Sequence, residues 1–93
     1  MNDKRQALAH LFRSAGQAHH QAFAAVNGDD PEWPEWYAQY LAGPLSQLLG
    51  TQIESAQLAA TLRDLDAEMR RVAPSADWPL YYTDRFLARH APR

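Results

Sequence analysis

Glu32-Trp33-Pro34-Glu35-Trp36-Tyr37 and Asp77-Trp78-Pro79-Leu80-Tyr81-Tyr82 are the two stretches that decide the fold of this chain. Both follow one pattern, in which an acidic residue precedes Trp-Pro, any residue, an aromatic residue and Tyr, and each half of the 93 residues contains one copy. Proline is accommodated in the first turn of a helix, where its missing N–H loses no partner, so each Trp-Pro predicts a helix start. The acidic residue then lies near the positive end of the helix dipole.

The similarity extends to the helix that precedes each motif. Two sets of mostly apolar residues recur in steps of four, three, four and three, displaced from each other by forty-six residues. This spacing keeps the members of a set on one face of a helix. The first set is Phe12, Gly16, His19, Phe23 and Val26, and the second is Leu58, Leu62, Leu65, Met69 and Val72.

These patterns predict an all-α fold, a four-helix antiparallel arrangement built from two similar helix-loop-(Trp-Pro)-helix units. The units span approximately 8–42 and 54–88, within a single domain of residues 1–93. An interlocked dimer, in which the two units exchange partners between chains, fits the same pattern.

Local signals predict where the helices begin and end. Asn27-Gly28 is typical of a helix end and is expected to stop the first helix near Val26. Gly43-Pro44 is expected to interrupt the second helix, with a further turn and a half from Leu45 to Leu49. Thr51 and Glu54 have the spacing of a capping box at the start of the third helix.

Composition excludes several classes of function. The net charge is −2 and Lys4 is the only lysine, so nucleic-acid binding is not expected. Cysteine is absent, which excludes disulfides, thiolate catalysis and cysteine-ligated metals. The N-terminus lacks the pattern of a signal peptide and no apolar run reaches the ~18 residues of a membrane span, so we expect no membrane partner and a cytoplasmic location.

The aromatic residues of the two motifs are the candidate binding residues. They have two interpretations, since tryptophan and tyrosine both fill cores and line binding grooves. In the second interpretation they hold a flat ligand, a cation over their rings or a helix of a partner. The candidates are Trp33, Trp36, Tyr37, Trp78, Tyr81 and Tyr82. Gly16, inside the first helix, predicts the close approach of another helix.

His19 lies on the apolar face of the first helix, where its ring needs a hydrogen-bond partner such as a tyrosine hydroxyl or a backbone carbonyl. No metal site is predicted, because His19 and His20 point about 100° apart on a helix. The only set of possible metal ligands worth testing is His19, His20, Asp30 and Asp77. No glycine-rich phosphate loop or serine-nucleophile motif occurs, so we expect no cofactor and assign no catalytic residue.

Two functions fit these observations. The leading hypothesis is a non-enzymatic interaction or assembly module that forms a homodimer and presents an aromatic groove to a protein partner. The alternative is a small-ligand or metal-binding protein, or a minor enzyme, with a pocket between the two Trp-Pro motifs and His19 among its polar contacts.

Overall fold

The computed structural model describes residues 3–26 and 30–90, without the side chains of residues 3 and 90. These residues form four α-helices and one short 3-10 helix, and they contain no strand. The all-α prediction is therefore confirmed. The helices are α1 (Asp3–Ala22), α2 (Trp33–Leu49), α3 (Ser55–Val72) and α4 (Trp78–His90), and the 3-10 helix is Ala24–Val26. None of the helices described is both long and apolar enough to cross a membrane.

Trp-Pro begins a helix in both halves of the chain, as predicted. Trp33 is the first residue of α2 and Trp78 the first residue of α4, so each proline occupies the first turn. The acidic residue before each tryptophan contributes its backbone carbonyl to that turn. Glu32 accepts from the Trp36 N–H at 3.3 Å, and Asp77 accepts from the Tyr81 N–H at 3.0 Å.

The core lies where α1 packs against α2 and α4, and where α3 packs against the same two helices. Its centre on α1 is Phe12, which is fully buried and whose ring meets three aromatic rings edge-on. Leucine and alanine fill most of the remaining space, so that the helices approach closely. The buried cluster consists of Leu8, Phe12, Ala15, Ala38, Leu41, Leu45, Ile53, Leu58, Ala59, Leu62, Leu65, Tyr82 and Phe86.

The predicted interruption of the second helix at Gly43-Pro44 is wrong, because α2 continues through Pro44 to Leu49. Proline inside a helix costs about 3 kcal/mol. Leu41 and Leu45 flank this site on the core face and are both fully buried, and burying each stabilises by about 1.5 to 3 kcal/mol. Tertiary packing thus outweighs the local preference, and α2 ends instead at Gly50, which has a left-handed φ of 68°.

The predicted capping box of Thr51 and Glu54 is also wrong. The third helix begins at Ser55, Glu54 is its N-cap residue, and no side chain caps it. Ile53 is buried, and its N–H donates to the hydroxyl of Ser46 at 3.0 Å. Glu54 is extended, and the helix begins three residues later than a capping box with Thr51 as its N-cap residue requires.

The apolar faces of α1 and α3 are shorter than predicted. Val26 is 52% exposed and Val72 is 55% exposed, although both belong to the predicted stripes. Phe23 and Met69, one turn earlier, are only partly buried. Regular α-helix ends at Ala22, and the predicted stop at Asn27-Gly28 lies outside the described residues. The part of each stripe that packs into the core is therefore its first three positions, which are buried apart from the half-buried Gly16.

Candidate functional site

A cavity of about 220 Å³ lies between the starts of α2 and α4 and the second half of α3. Four of its walls are aromatic side chains, and these come in equal numbers from the two Trp-Pro motifs. The remaining walls are a carboxylate and a thioether from α3. The lining residues are Trp33, Tyr37, Asp66, Met69, Trp78 and Tyr82.

The four rings follow one another around the cavity, each nearly perpendicular to the next. The centroids of Trp33 and Tyr37 are 5.5 Å apart at 82°, and those of Tyr37 and Trp78 are 6.0 Å apart at 70°. Trp78 and Tyr82 complete the series at 5.2 Å and 68°. Edge-to-face packing of this kind stabilises each pair by about 0.5 to 1.5 kcal/mol beyond area burial. The rings therefore hold one another in position.

Trp78 is also fixed from behind by α1. Its indole lies against Gly16, where a Cβ atom would lie 2.9 Å from the indole Cζ2. The ring of Phe12 lies on another side of the same indole, with centroids 6.4 Å apart. The close approach predicted at Gly16 is thus made by the first side chain of α4.

Of the described residues that line the cavity, Asp66 is the one with a charged side chain. Its Oδ1 accepts from the Tyr82 hydroxyl at 3.4 Å, and its Oδ2 accepts from Arg70 Nε at 2.9 Å. The Arg70 side chain is 74% exposed, whereas the Asp66 side chain is 25% exposed. The carboxylate thus faces the rings, while its arginine partner lies mostly in water.

Both phenols in the cavity stay neutral at physiological pH. Burial first, and the charge of Asp66 second, raise the pKa of Tyr82 far above its ordinary value of 10. Burial alone raises the pKa of Tyr37. Each tyrosine therefore offers a hydroxyl donor and a polarisable ring rather than a charge.

Two of the predicted binding aromatics, Trp36 and Tyr81, do not line this cavity. Trp36 stacks on Tyr40, with centroids 5.5 Å apart and planes within 14° of parallel. Tyr81 is half-buried beside Glu68, and its pKa is raised by loss of water and then by a hydrogen bond with that carboxylate. The fifth residue of each motif, Trp36 or Tyr81, thus packs outside the cavity.

His19 also lies outside the cavity, in a packed polar contact. Its Nε2 is 3.0 Å from Asp30 Oδ2, and both side chains are about 10% exposed. The other carboxylate oxygen of Asp30 accepts from the Glu32 N–H at 3.1 Å. The partner expected for a buried histidine is therefore present, but it is a carboxylate and not a tyrosine hydroxyl or a backbone carbonyl. This contact ties α1 to the segment that leads into α2.

The four possible metal ligands do not come together. His19 meets Asp30, whereas Asp77 binds Arg13 at 2.6 Å. His20 is exposed and lines a different, open cavity of about 700 Å³ beside Gly16 and Pro79. In the two described segments, no group of three or more His, Asp or Glu side chains is placed to hold a metal ion.

Sequence reasoning did not select Asp66 and Met69 as site residues. Met69 belongs to the apolar stripe predicted for the third helix, whereas Asp66 is not a member of that stripe. A signal did exist, because residues three apart on a helix share a face. An acidic residue one turn before Met69 is therefore next to whatever that stripe packs against.

The arrangement can bind a small group between neutral rings and place it beside one carboxylate. It supplies hydroxyl donors, ring faces and a negative charge. No family model, curated protein or solved structure matches this chain.

Proposed function

We propose that the protein is a non-enzymatic binding module whose site is the cavity between its two Trp-Pro motifs. The observation that carries this proposal is the convergence of Trp33, Tyr37, Trp78 and Tyr82 on one cavity beside Asp66. Ligand sites are typically concave and aromatic, with few polar groups that fix orientation. A volume of about 220 Å³ suits a small molecule or one side chain of a partner.

The protonation states around the cavity favour binding over catalysis. General acid–base catalysis works best with groups whose pKa lies near the working pH. Burial moves the pKa values of Tyr37 and Tyr82 away from that range. Asp66 is already engaged by Tyr82 and Arg70.

We also propose that the chain is an antiparallel pair of equivalent units, approximately 8–42 and 54–88. Equivalent positions have similar environments, which supports this proposal. His19 and Leu65 are both buried, and Val26 and Val72 are both about half exposed. The motif rings that line the cavity are equivalent in pairs, and so are the two that do not, Trp36 and Tyr81. In such an arrangement the cavity lies near the pseudo-two-fold axis.

The homodimer and the cytoplasmic location stay predictions. Among the described residues, Val26, Tyr40 and Val72 are the large hydrophobic side chains that are exposed, by 52%, 41% and 55%. Stable homodimer interfaces bury large, mostly apolar areas. The geometry therefore favours a ligand pocket over an extensive interface. Native mass spectrometry of gently purified protein tests the homodimer and the ligand pocket, because it reports the subunit number and any retained small molecule.

A pocket-filling variant tests the proposed function. A metabolite library is screened by tryptophan fluorescence, and each hit is measured again with Met69→Phe, which places a larger side chain in the cavity. Val72→Phe is the matched control, because it adds a ring to the same helix at a position 55% exposed. We expect Met69→Phe to abolish binding and Val72→Phe to leave it unchanged. Hits that bind both variants equally, or a library without hits, would contradict the proposal.

A further inference from the structure

We infer that the ligand of this cavity is an organic cation, a methylated or quaternary ammonium group that lies among the four rings with its charge toward Asp66. This inference rests on the proposed function and adds the chemical class of the ligand. Three properties of the cavity carry it: the angles between the rings, the sign of the charge and the ease with which Arg70 is displaced.

The angles between the rings favour a compact group over a flat one. Successive rings around the cavity meet at 82°, 70° and 68°. A flat aromatic ligand stacks best on parallel rings, and no two successive rings of this series are parallel. Two stacked ring pairs of the described residues, Trp36 with Tyr40 and His19 with Phe23, lie outside the cavity. Perpendicular walls enclose a rounded group such as a substituted ammonium.

The charge of the cavity has the sign that a cation requires. Aromatic ring faces are electronegative, and tryptophan attracts cations more strongly than tyrosine or phenylalanine. Asp66 adds a full negative charge at the wall, and Tyr82 stabilises it by donating a hydrogen bond. Because Tyr37 and Tyr82 remain neutral, a ligand cation encounters no competing proton equilibrium at these hydroxyls.

Arg70 occupies one oxygen of Asp66 but leaves the ring-lined space free. It lies one turn after Asp66 on α3, its side chain is 74% exposed, and it is not a lining residue. Exposed ion pairs of this spacing contribute little to stability. A ligand cation can therefore share or replace Arg70 on the carboxylate at small cost.

Choline and its neutral isostere, 3,3-dimethylbutan-1-ol, isolate the effect of the charge because they share one shape. Titrations follow tryptophan fluorescence in a Trp36→Phe background, which retains the two tryptophans of the cavity. We expect choline to bind at least tenfold more tightly than the isostere, a difference of about 1.4 kcal/mol. Equal affinities would overturn the inference.

Substitutions on α3 locate the charge that matters. Asp66→Asn keeps the shape of the side chain and is expected to weaken choline binding about tenfold while leaving the isostere unchanged. Arg70→Gln is expected to strengthen choline binding, because it removes the competing cation. Asp64→Asn is the matched control, since Asp64 is 70% exposed on the same helix and does not line the cavity. Equal choline affinities in the Asp66 and Asp64 variants would overturn the inference.

Met69→Phe separates failure of this inference from failure of the proposed function. If the neutral isostere binds as well as choline and Met69→Phe abolishes both, the cavity is a ligand site but not a cation site. If Met69→Phe changes the affinity of neither, the proposed function fails as well.

A peptide with trimethyllysine and free choline then distinguish a side chain of a partner from a free metabolite as the source of the cation. Absence of binding by both of these probes and by tetramethylammonium at millimolar concentration would overturn the inference.

Discussion

Gly16→Ala tests how tightly the cavity is built. Glycine in the middle of a helix is less favourable than alanine by about 1 kcal/mol, so in isolation this substitution stabilises α1. In the folded chain the new Cβ would lie 2.9 Å from Cζ2 and 3.4 Å from Cη2 of the Trp78 indole. Contacts below 3.0 Å require that one of the two groups moves.

The indole of Trp78 has little room to move. Its ring packs against Phe12, Tyr37 and Tyr82 at centroid distances of 6.4, 6.0 and 5.2 Å. Overpacking of such a site costs about 1 to 3 kcal/mol. After subtraction of the helix-propensity gain, we expect Gly16→Ala to lower the free energy of unfolding by about 0 to 2 kcal/mol.

A double-mutant cycle with Trp78→Phe measures this clash directly. Phenylalanine lacks the indole atoms that meet the new Cβ, so in that background Gly16→Ala should raise the free energy of unfolding by about 1 kcal/mol. Urea denaturation followed by circular dichroism gives all four values. The expected coupling is about 1 to 3 kcal/mol. The same stabilising effect of Gly16→Ala in both backgrounds would refute the packing described for Trp78.

Three further predictions concern other parts of the fold. Phe12→Ala removes a fully buried ring that contacts three others and should lower the free energy of unfolding by about 3 to 5 kcal/mol in urea denaturation; a loss below about 1 kcal/mol would contradict the assigned core. Asp30→Ala leaves the buried His19 ring without its partner and should cost about 1 to 3 kcal/mol, whereas an unchanged unfolding midpoint would show that the contact is not maintained. A hydrogen bond from an arginine holds the pKa values of Glu35 and Asp84 below their ordinary 4.5 and 3.8. Because the unfolded chain takes up these protons first, their contribution to stability is full above those ordinary values and is lost as the pH falls through the folded-state pKa values. Between about pH 5 and about pH 3, the urea midpoint of unfolding should therefore fall less in the double variant Glu35→Gln, Asp84→Asn than in the unmodified protein. Equal falls in the two proteins would exclude this linkage.

The helical part of the fold could be predicted because its signals are both local and repeated. Trp-Pro specifies a helix start through the fixed φ of proline, whatever surrounds it. The apolar spacing from Phe12 to His19 and from Leu58 to Leu65 specifies which face is buried, and these positions are indeed buried apart from the half-buried Gly16.

Boundaries that depend on tertiary packing could not be predicted in this way. Gly43-Pro44 is a strong local signal for a helix end, but it says nothing about the burial of Leu41 and Leu45 on either side. The capping-box spacing of Thr51 and Glu54 likewise carries no information on the burial of Ile53 between them.

The candidate site could be predicted in part for the same reason. A pocket between the Trp-Pro motifs was one of two hypotheses, and the structure places a cavity there. Spacing within a motif could not show that Trp33 and Tyr37 line it while Trp36 packs elsewhere, since that depends on how α2 is rotated against α3 and α4. Asp66 was indistinguishable from its exposed neighbours, because a charged residue next to an apolar stripe most often faces water.

The most direct test of the binding site uses the indole N–H signals of the three tryptophans in a nitrogen-15 NMR spectrum, assigned with single Trp→Phe variants. The protein is titrated with a fragment mixture that contains cationic, neutral and anionic members. If the cavity between the Trp-Pro motifs is the ligand site, binding fragments shift Trp33 and Trp78 together and further than Trp36. Fragments that shift Trp36 most, or a spectrum that no fragment changes, would contradict this account.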